Sequence, residues 1–176
     1  MLIETKRTLI RPFCAGDLDD LQEILGDPLV MAQVEPPYTR EKTRAFLMDF
    51  CIAQGRALAV ALRPGGRLIG YALCSDRLEA GVYVLGWLFN RAIWRQGLAH
   101  ESIRALIRHL FLESGAHKVF AEAIDVEKSV PLMIKLGMRR EGVQRLHTRD
   151  LQGVWRDLHY YGLLLEEYLA MNPPAR

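Results

Sequence analysis

The residues of this chain best suited to chemistry stand in one short stretch, Arg91-Ala92-Ile93-Trp94-Arg95-Gln96-Gly97-Leu98-Ala99, between an apolar run and an amphipathic segment. A helix start presents unpartnered main-chain N–H groups and the positive end of the helix dipole, so it attracts anions. Gly97 carries no side chain, which lets a phosphate approach the main chain, and Arg91 and Arg95 add positive charge. A pyrophosphate suits such a loop. On spacing alone, a lone glycine there is more often simple turn chemistry and two loop arginines are more often a solvated surface. Neither G-x-x-x-x-G-K-S/T nor G-x-G-x-x-G is present there, which argues against a nucleotide-binding protein of those kinds. The five histidines fall in no ligand pattern, and the three cysteines, Cys14, Cys51 and Cys74, include no C-x-x-C pair, so no metal site and no disulfide framework is expected.

The elements that must position this loop follow from periodicity and punctuation. Lys6 to Pro12 reads as a strand, and Asp17 to Leu25 as a helix with Leu18, Leu21, Ile24 and Leu25 on one face, stopped by Gly26-Asp27-Pro28. Thr39 can cap a second helix running to about Gln54. Ala57 to Leu62 and Leu68 to Cys74 are strands joined through Pro64-Gly65-Gly66, and Val82 to Phe89 is the strand before the loop. Ala99 to Ser114 carries Ile103, Leu106, Ile107 and Leu110 at helical spacing, and Lys118 to Ile124 returns as a strand, a crossover that makes its two strands parallel. A short helix from about Ser129 to Leu136, a stop at Gly137, and strands around Gly142 to Thr148 and Val154 to Leu164 complete the chain. The expected fold is α/β (α+β): a mixed sheet of about six to seven strands with helices on both faces, in one domain over 1–176.

Composition narrows the function. A chain of 176 residues, half of them apolar, buries a core without metal or disulfide support. The net charge of +2 from 23 basic and 21 acidic residues forms no basic stripe, so nucleic acid is not expected as a ligand. The amino terminus is too polar for a signal peptide, and no segment reaches membrane-spanning length without charges. A cytoplasmic protein that neither spans nor binds a membrane is the expectation.

Over nearly its whole length the chain resembles the GNAT (Gcn5-related N-acetyltransferase) superfamily. That superfamily's acetyl-CoA loop follows Gln/Arg-x-x-Gly-x-Gly/Ala. Gly97, Leu98 and Ala99 match the last three positions, and Trp94 stands at the first, as in the ribosomal-protein alanine N-acetyltransferase branch. Leu9-Ile10-Arg11-Pro12 followed by Asp17, Gly86-Trp87-Leu88, Lys135-Leu136-Gly137-Met138 and Arg140-Glu141-Gly142 are similar too, in the same order. The resemblance implies a CoA cleft where the central strand splays from its parallel neighbour. The pantetheine arm would lie on the main chain of Trp87, Leu88 and Phe89, and the pyrophosphate on Arg95, Gln96, Gly97, Leu98 and Ala99. A thioester is already activated, so no metal is implied.

The remaining roles follow from that resemblance. An attacking ammonium must first lose a proton. The acidic residue that the branch often carries two positions before the central-strand glycine is Val84 here, so Glu122 becomes the candidate base, with Asp125 behind it; a solvated or paired carboxylate is the alternative reading. Ser129 matches the serine of the family's N-x-x-S element and could donate to the departing CoA thiolate, or simply cap a helix. Val126 replaces that element's asparagine, and Met133 stands where many relatives have a tyrosine acid. Glu35 and Tyr38, in a proline-rich connection, are acceptor-side candidates, as more weakly are His147 and Asp157. The acceptor is an amine: a protein N-terminus first, or a polyamine, an aminoglycoside-like amine or an amino acid. A non-catalytic acyl-CoA-binding sensor module is the alternative from another class. A homodimer paired through edge strands is possible.

Overall fold

The computed structural model describes residues 1–124 and 126–173. Two strands open the chain, β1 (Ile3–Glu4) and β2 (Thr8–Pro12). A 3₁₀ turn at Ala15–Asp17 leads into helix α1 (Leu18–Leu25), then α2 (Pro28–Met31). Helix α3 (Arg40–Ala45) runs into a π-helical stretch at Phe46–Ala53. Next come β3 (Ala57–Leu62), β4 (Leu68–Glu79), β5 (Val82–Phe89), α4 (Leu98–Leu112), β6 (Lys118–Ala123), α5 (Ser129–Lys135), β7 (Arg139–Arg149), β8 (Trp155–Leu164) and α6 (Leu165–Met171).

Local chemistry explains the boundaries. α1 buries Leu21, Ile24 and Leu25 and ends at Gly26; Asp27 Oδ1 then accepts the Leu29 N–H at 2.8 Å, capping α2 with Pro28 at its first position. Thr39 Oγ1 accepts the Lys42 N–H at 3.2 Å and caps α3 as expected. The helix expected to continue regularly to Gln54 instead widens at Phe46, and Gln54 N–H bonds Asp49 O five residues back at 3.1 Å. Within this stretch Phe46 and Phe50 stack at 5.0 Å while Leu47 and Cys51 are buried.

Among the described residues one sheet has eight strands, in the order β1-β2-β3-β4-β5-β6-β8-β7, slightly more than the expected six to seven. The additional strand is β1, whose two residues pair Ile3↔Ile10 and Glu4↔Leu9 and are too few to show a period. Each neighbouring pair is antiparallel except β5 and β6, which are parallel, as the crossover through α4 requires. Ile10, Val60, Ala72, Leu85, Val119 and Leu163 turn to one face, where α4, α5 and α6 bring Leu106, Met133 and Tyr168. Ala59 and Tyr71 turn to the other, under α1, α2 and the π-helical stretch, with Leu21, Met31 and Leu47. Among the described residues no helix is long and apolar enough to cross a membrane.

Candidate active site

The site begins where the sheet comes apart. β5 is in register with β6 only at Val82↔Lys118, Tyr83↔Val119 and Val84↔Phe120. Beyond Val84, β5 continues along β4 through Gly86↔Leu73, Trp87↔Ala72, Leu88↔Tyr71 and Phe89↔Gly70, whereas Ala121 to Ala123 of β6 continue along β8. The inner edge of β5 from Leu85 to Phe89 therefore turns toward a wedge-shaped gap with main-chain donors and acceptors that an extended ligand can pair with. Trp87 and Phe89 pack into the α4 layer and Leu88 packs against the opposite one, so side chains hold this edge from both faces.

At the open end of the gap, Trp94 Nε1 donates to Phe89 O at 2.9 Å and ties the following loop to the strand. Arg95 (φ 62°) and Gly97 (φ 78°) are both left-handed, a backbone form that turns N–H groups inward to make anion-binding concavities. Gly97 is the N-cap of the fifteen-residue α4, whose first N–H groups have no intrahelical partner. A Cβ built on Gly97 would meet Arg7 Nη2 at 3.5 Å, an ordinary contact, so it is the positive φ that favours glycine here.

The cations differ from the sequence reading. Arg91 is drawn away: its Nε lies 2.8 Å from Asp27 Oδ2, and although burial opposes the charge on Asp27, Arg91 and the Leu29 N–H keep that carboxyl below its ordinary range. Arg95, Gln96 and Gly97 are exposed, Leu98 is buried and Ala99 half-buried. The cation that sequence reading missed is Arg7, whose Nη1 donates to Gln96 O at 3.1 Å while its Nε binds Glu101 Oε2 at 2.7 Å. Glu101 also accepts from Thr5 Oγ1 at 2.6 Å and from the Arg7 N–H at 2.8 Å, which latches the β1–β2 turn onto the first turn of α4. A groove of about 850 Å³ opens at Gly97 and carries Arg7, His100, Arg104 and Arg108, so basic side chains extend along α4 from the cradle.

Across the gap, Glu122 is exposed on β6, two residues past Phe120, the last β6 residue in register with β5. Asp125 lies outside the described residues. Ser129 is the first residue of α5 and Lys128 its N-cap, so the cap reading of Ser129 does not hold, and the serine stands half-buried at the helix start. Lys128 Nζ lies 5.7 Å from the Trp94 ring, linking the two loops that flank the gap. Met133 is buried in the core, and Val126 is exposed.

The structure brings Glu35 and Tyr38 together: the Tyr38 hydroxyl donates to Glu35 Oε1 at 3.0 Å, and Lys42 Nζ reaches Glu35 Oε2 at 2.8 Å and the Tyr38 ring at 3.8 Å. Lys42 accordingly holds the Glu35 carboxyl below its usual range. Asp157 Oδ1 accepts the Leu146 N–H at 2.9 Å within a β7 irregularity, a structural role, and His147 is exposed on the same strand. No group of three or more His, Cys, Asp and Glu able to hold a metal occurs among the described residues.

A sheet parted beside a glycine-capped helix is the arrangement of an acyl-CoA-dependent transferase, and comparison with known proteins agrees. Residues 7–139 match the acetyltransferase (GNAT) domain family, to which this chain belongs; it is an N-acetyltransferase of that family, whose acyl donor is acetyl-CoA. It is 31% identical over 172 residues to the uncharacterized N-acetyltransferase YnaD of Bacillus subtilis (strain 168), covering 96% of this chain and 99% of the relative. The crystal structure of a GNAT-family acetyltransferase from Bacillus anthracis superposes with a TM-score of 0.88 at 29% identity, covering 94% of this chain and 99% of that one. RimL, a ribosomal L7/L12 α-N-protein acetyltransferase in complex with coenzyme A, shares the fold with a TM-score of 0.80 at 15% identity, over 95% of this chain and 99% of that one.

Proposed function

We propose that this protein transfers the acetyl group of acetyl-CoA to the N-terminal amine of a protein or peptide, by direct attack in a ternary complex in the cytoplasm. The observation that carries the reading is the parting of β5 from β6 beside the Gly97 cradle. An extended thioester-bearing arm can pair with the main chain of Trp87, Leu88 and Phe89 as a further strand would, while its pyrophosphate rests on Arg95, Gln96, Gly97, Leu98 and Ala99. Glu122 takes the proton of the incoming amine, and the Ser129 hydroxyl donates to the departing thiolate. Glu35 and Tyr38 stand on the acceptor side. A protein N-terminus is favoured over a small amine by the fold shared with RimL, whose substrate is a protein α-amine. The carboxylate of Glu35 is engaged by Lys42, which disfavours a polycationic acceptor such as a polyamine.

Calorimetric titration of acetyl-CoA into the wild type and into Gly97→Glu tests the donor site. Saturable binding weakened at least about tenfold, or ~1.4 kcal/mol, in the variant is expected, because the new side chain is strained at positive φ and fills the cradle. No binding to the wild type would sink the reading. Release of CoA thiol in the presence of N-terminal peptides, polyamines, aminoglycosides and amino acids then ranks the acceptors. Binding without transfer to any of them would replace the reading with an acyl-CoA-binding module.

A further inference from the structure

Glu122 is an exposed strand carboxylate with several rotatable bonds, and a proton acceptor that wanders contributes little to catalysis. The sheet supplies what would hold it. Val119, Ala121 and Ala123 of β6 are buried under the α4 layer, so the alternating positions Lys118, Phe120 and Glu122 turn to the opposite, acceptor face. On β8, Tyr161 and Leu163 are likewise buried, which turns Tyr160 to that same face, directly opposite Glu122 in the antiparallel register. Directly opposed side chains of such a pair are in mutual reach. The Tyr160 hydroxyl stands opposite the Glu122 carboxylate and 3.2 Å from the side-chain amide of Gln144 on β7; with that amide turned so that Nε2 donates to the phenol oxygen, the single hydroxyl proton is left for Glu122. Burial and then the neighbouring Glu122 carboxylate raise the pKa of that phenol, so it stays a neutral hydroxyl. Lys118 and Glu141, near this face, are bound to each other at 2.7 Å.

We propose that Tyr160 is the positioning residue of the acceptor site: anchored by Gln144, its hydroxyl holds the Glu122 carboxylate where β5 and β6 part. The inference rests on Glu122 as the base in the reading above. In the step it serves, the amine lone pair bonds to the thioester carbonyl carbon. The carbon–sulfur bond breaks with its electron pair on the CoA sulfur, and the ammonium proton passes to Glu122. Being exposed, Glu122 then returns that proton to water. Tyr160 neither gains nor loses a proton; it fixes the carboxylate rotamer through which the proton leaves.

Two measurements on the full chain test this. In an NMR titration of ¹³Cζ-tyrosine-labelled protein, the Tyr160 resonance, assigned with Tyr160→Phe, is expected to titrate at lower pH in Glu122→Gln than in wild type. In steady-state assays with an N-terminal peptide, Tyr160→Phe is expected to lower kcat about tenfold, with acetyl-CoA affinity and acceptor KM changed less than about twofold. In a Glu122→Gln background the same substitution is expected to change kcat by less than about twofold, because its effect runs through Glu122. An unmoved Tyr160 midpoint, or equal losses in both backgrounds, overturns the proposal. Failure of the wild type to acetylate any amine counts instead against the transferase reading, and the NMR arm then decides the Tyr160–Glu122 pairing by itself.

Discussion

Arg7 and Glu101 meet across 94 positions of sequence, and Arg7 Nη1 also donates to Gln96 O beside Gly97. Glu101 carries three hydrogen bonds from Thr5 and Arg7, so Glu101→Ala leaves those donors without their acceptor and is expected to cost about 2 kcal/mol in urea unfolding at neutral pH. A loss below about 0.5 kcal/mol would mean that water replaces the carboxylate. Burial works against the Glu101 charge, but the bonds from Thr5 and Arg7 outweigh it and hold its pKa below the ordinary 4.5. A depressed carboxylate stabilises the fold fully above its unfolded pKa and stops doing so as pH falls through the lower folded value. The stability difference between wild type and Glu101→Ala should therefore be constant from neutral pH down to about 4.5 and shrink below it. Gly97 was legible in the sequence because a glycine between an apolar run and an amphipathic segment is a local signal. Arg7 was not, since nothing local distinguishes a strand-preceding arginine from a solvated one. The same limit explains Arg91, whose partner Asp27 belongs to another element, and Tyr160, which acquires meaning only through the β6–β8 register.

Among the elements, β5 is tightly constrained along β4. Opposite its end, Gly70 of β4 has no room for a side chain: a Cβ there would lie 2.4 Å from the Phe89 ring and 2.5 Å from Leu88 O. Gly70→Ala must push β5 outward at the stretch proposed to hold the pantetheine arm. A loss of about 1–3 kcal/mol in unfolding free energy is expected, as for an overpacked core, together with weaker acetyl-CoA binding. Unchanged affinity in a destabilised variant would detach that stretch from the donor site. β3 and β5 follow the bounds expected from their apolar runs because proline, glycine and polar residues flank both. Other elements left weaker traces. α2 has four residues, too few for a helical stripe, and α6 continues directly from the apolar end of β8, so its period is masked by Leu163 and Leu164. β4 runs five residues past Cys74 because Ser75 and Glu79 find partners in Val84 and Val82, pairing that periodicity does not encode.

For the whole molecule, the layers were readable from alternating strand and helix patterns, and the single parallel pair from the length of the crossover through α4. Less readable was how briefly that pair lasts. Three register positions join five strands to the other three, so the line that would receive the donor is also the shortest pairing in the interior of the sheet, only the edge pair β1–β2 being shorter. Load applied across the interior of the sheet concentrates there, and local opening should be cheap along it. A ligand spanning both margins then acts as a cross-brace. Its binding is expected to slow amide hydrogen exchange at Leu85–Phe89 and Ala121–Ala123 together, and to stabilise the fold by about 2.7 kcal/mol at a hundredfold excess over Kd. Slowing confined to the α4 cradle would mean that the seam stays open beneath the bound molecule. With such a brace in place, five strands and three would become one mechanical unit, and a donor bound there would be a structural member of the sheet for as long as it stayed.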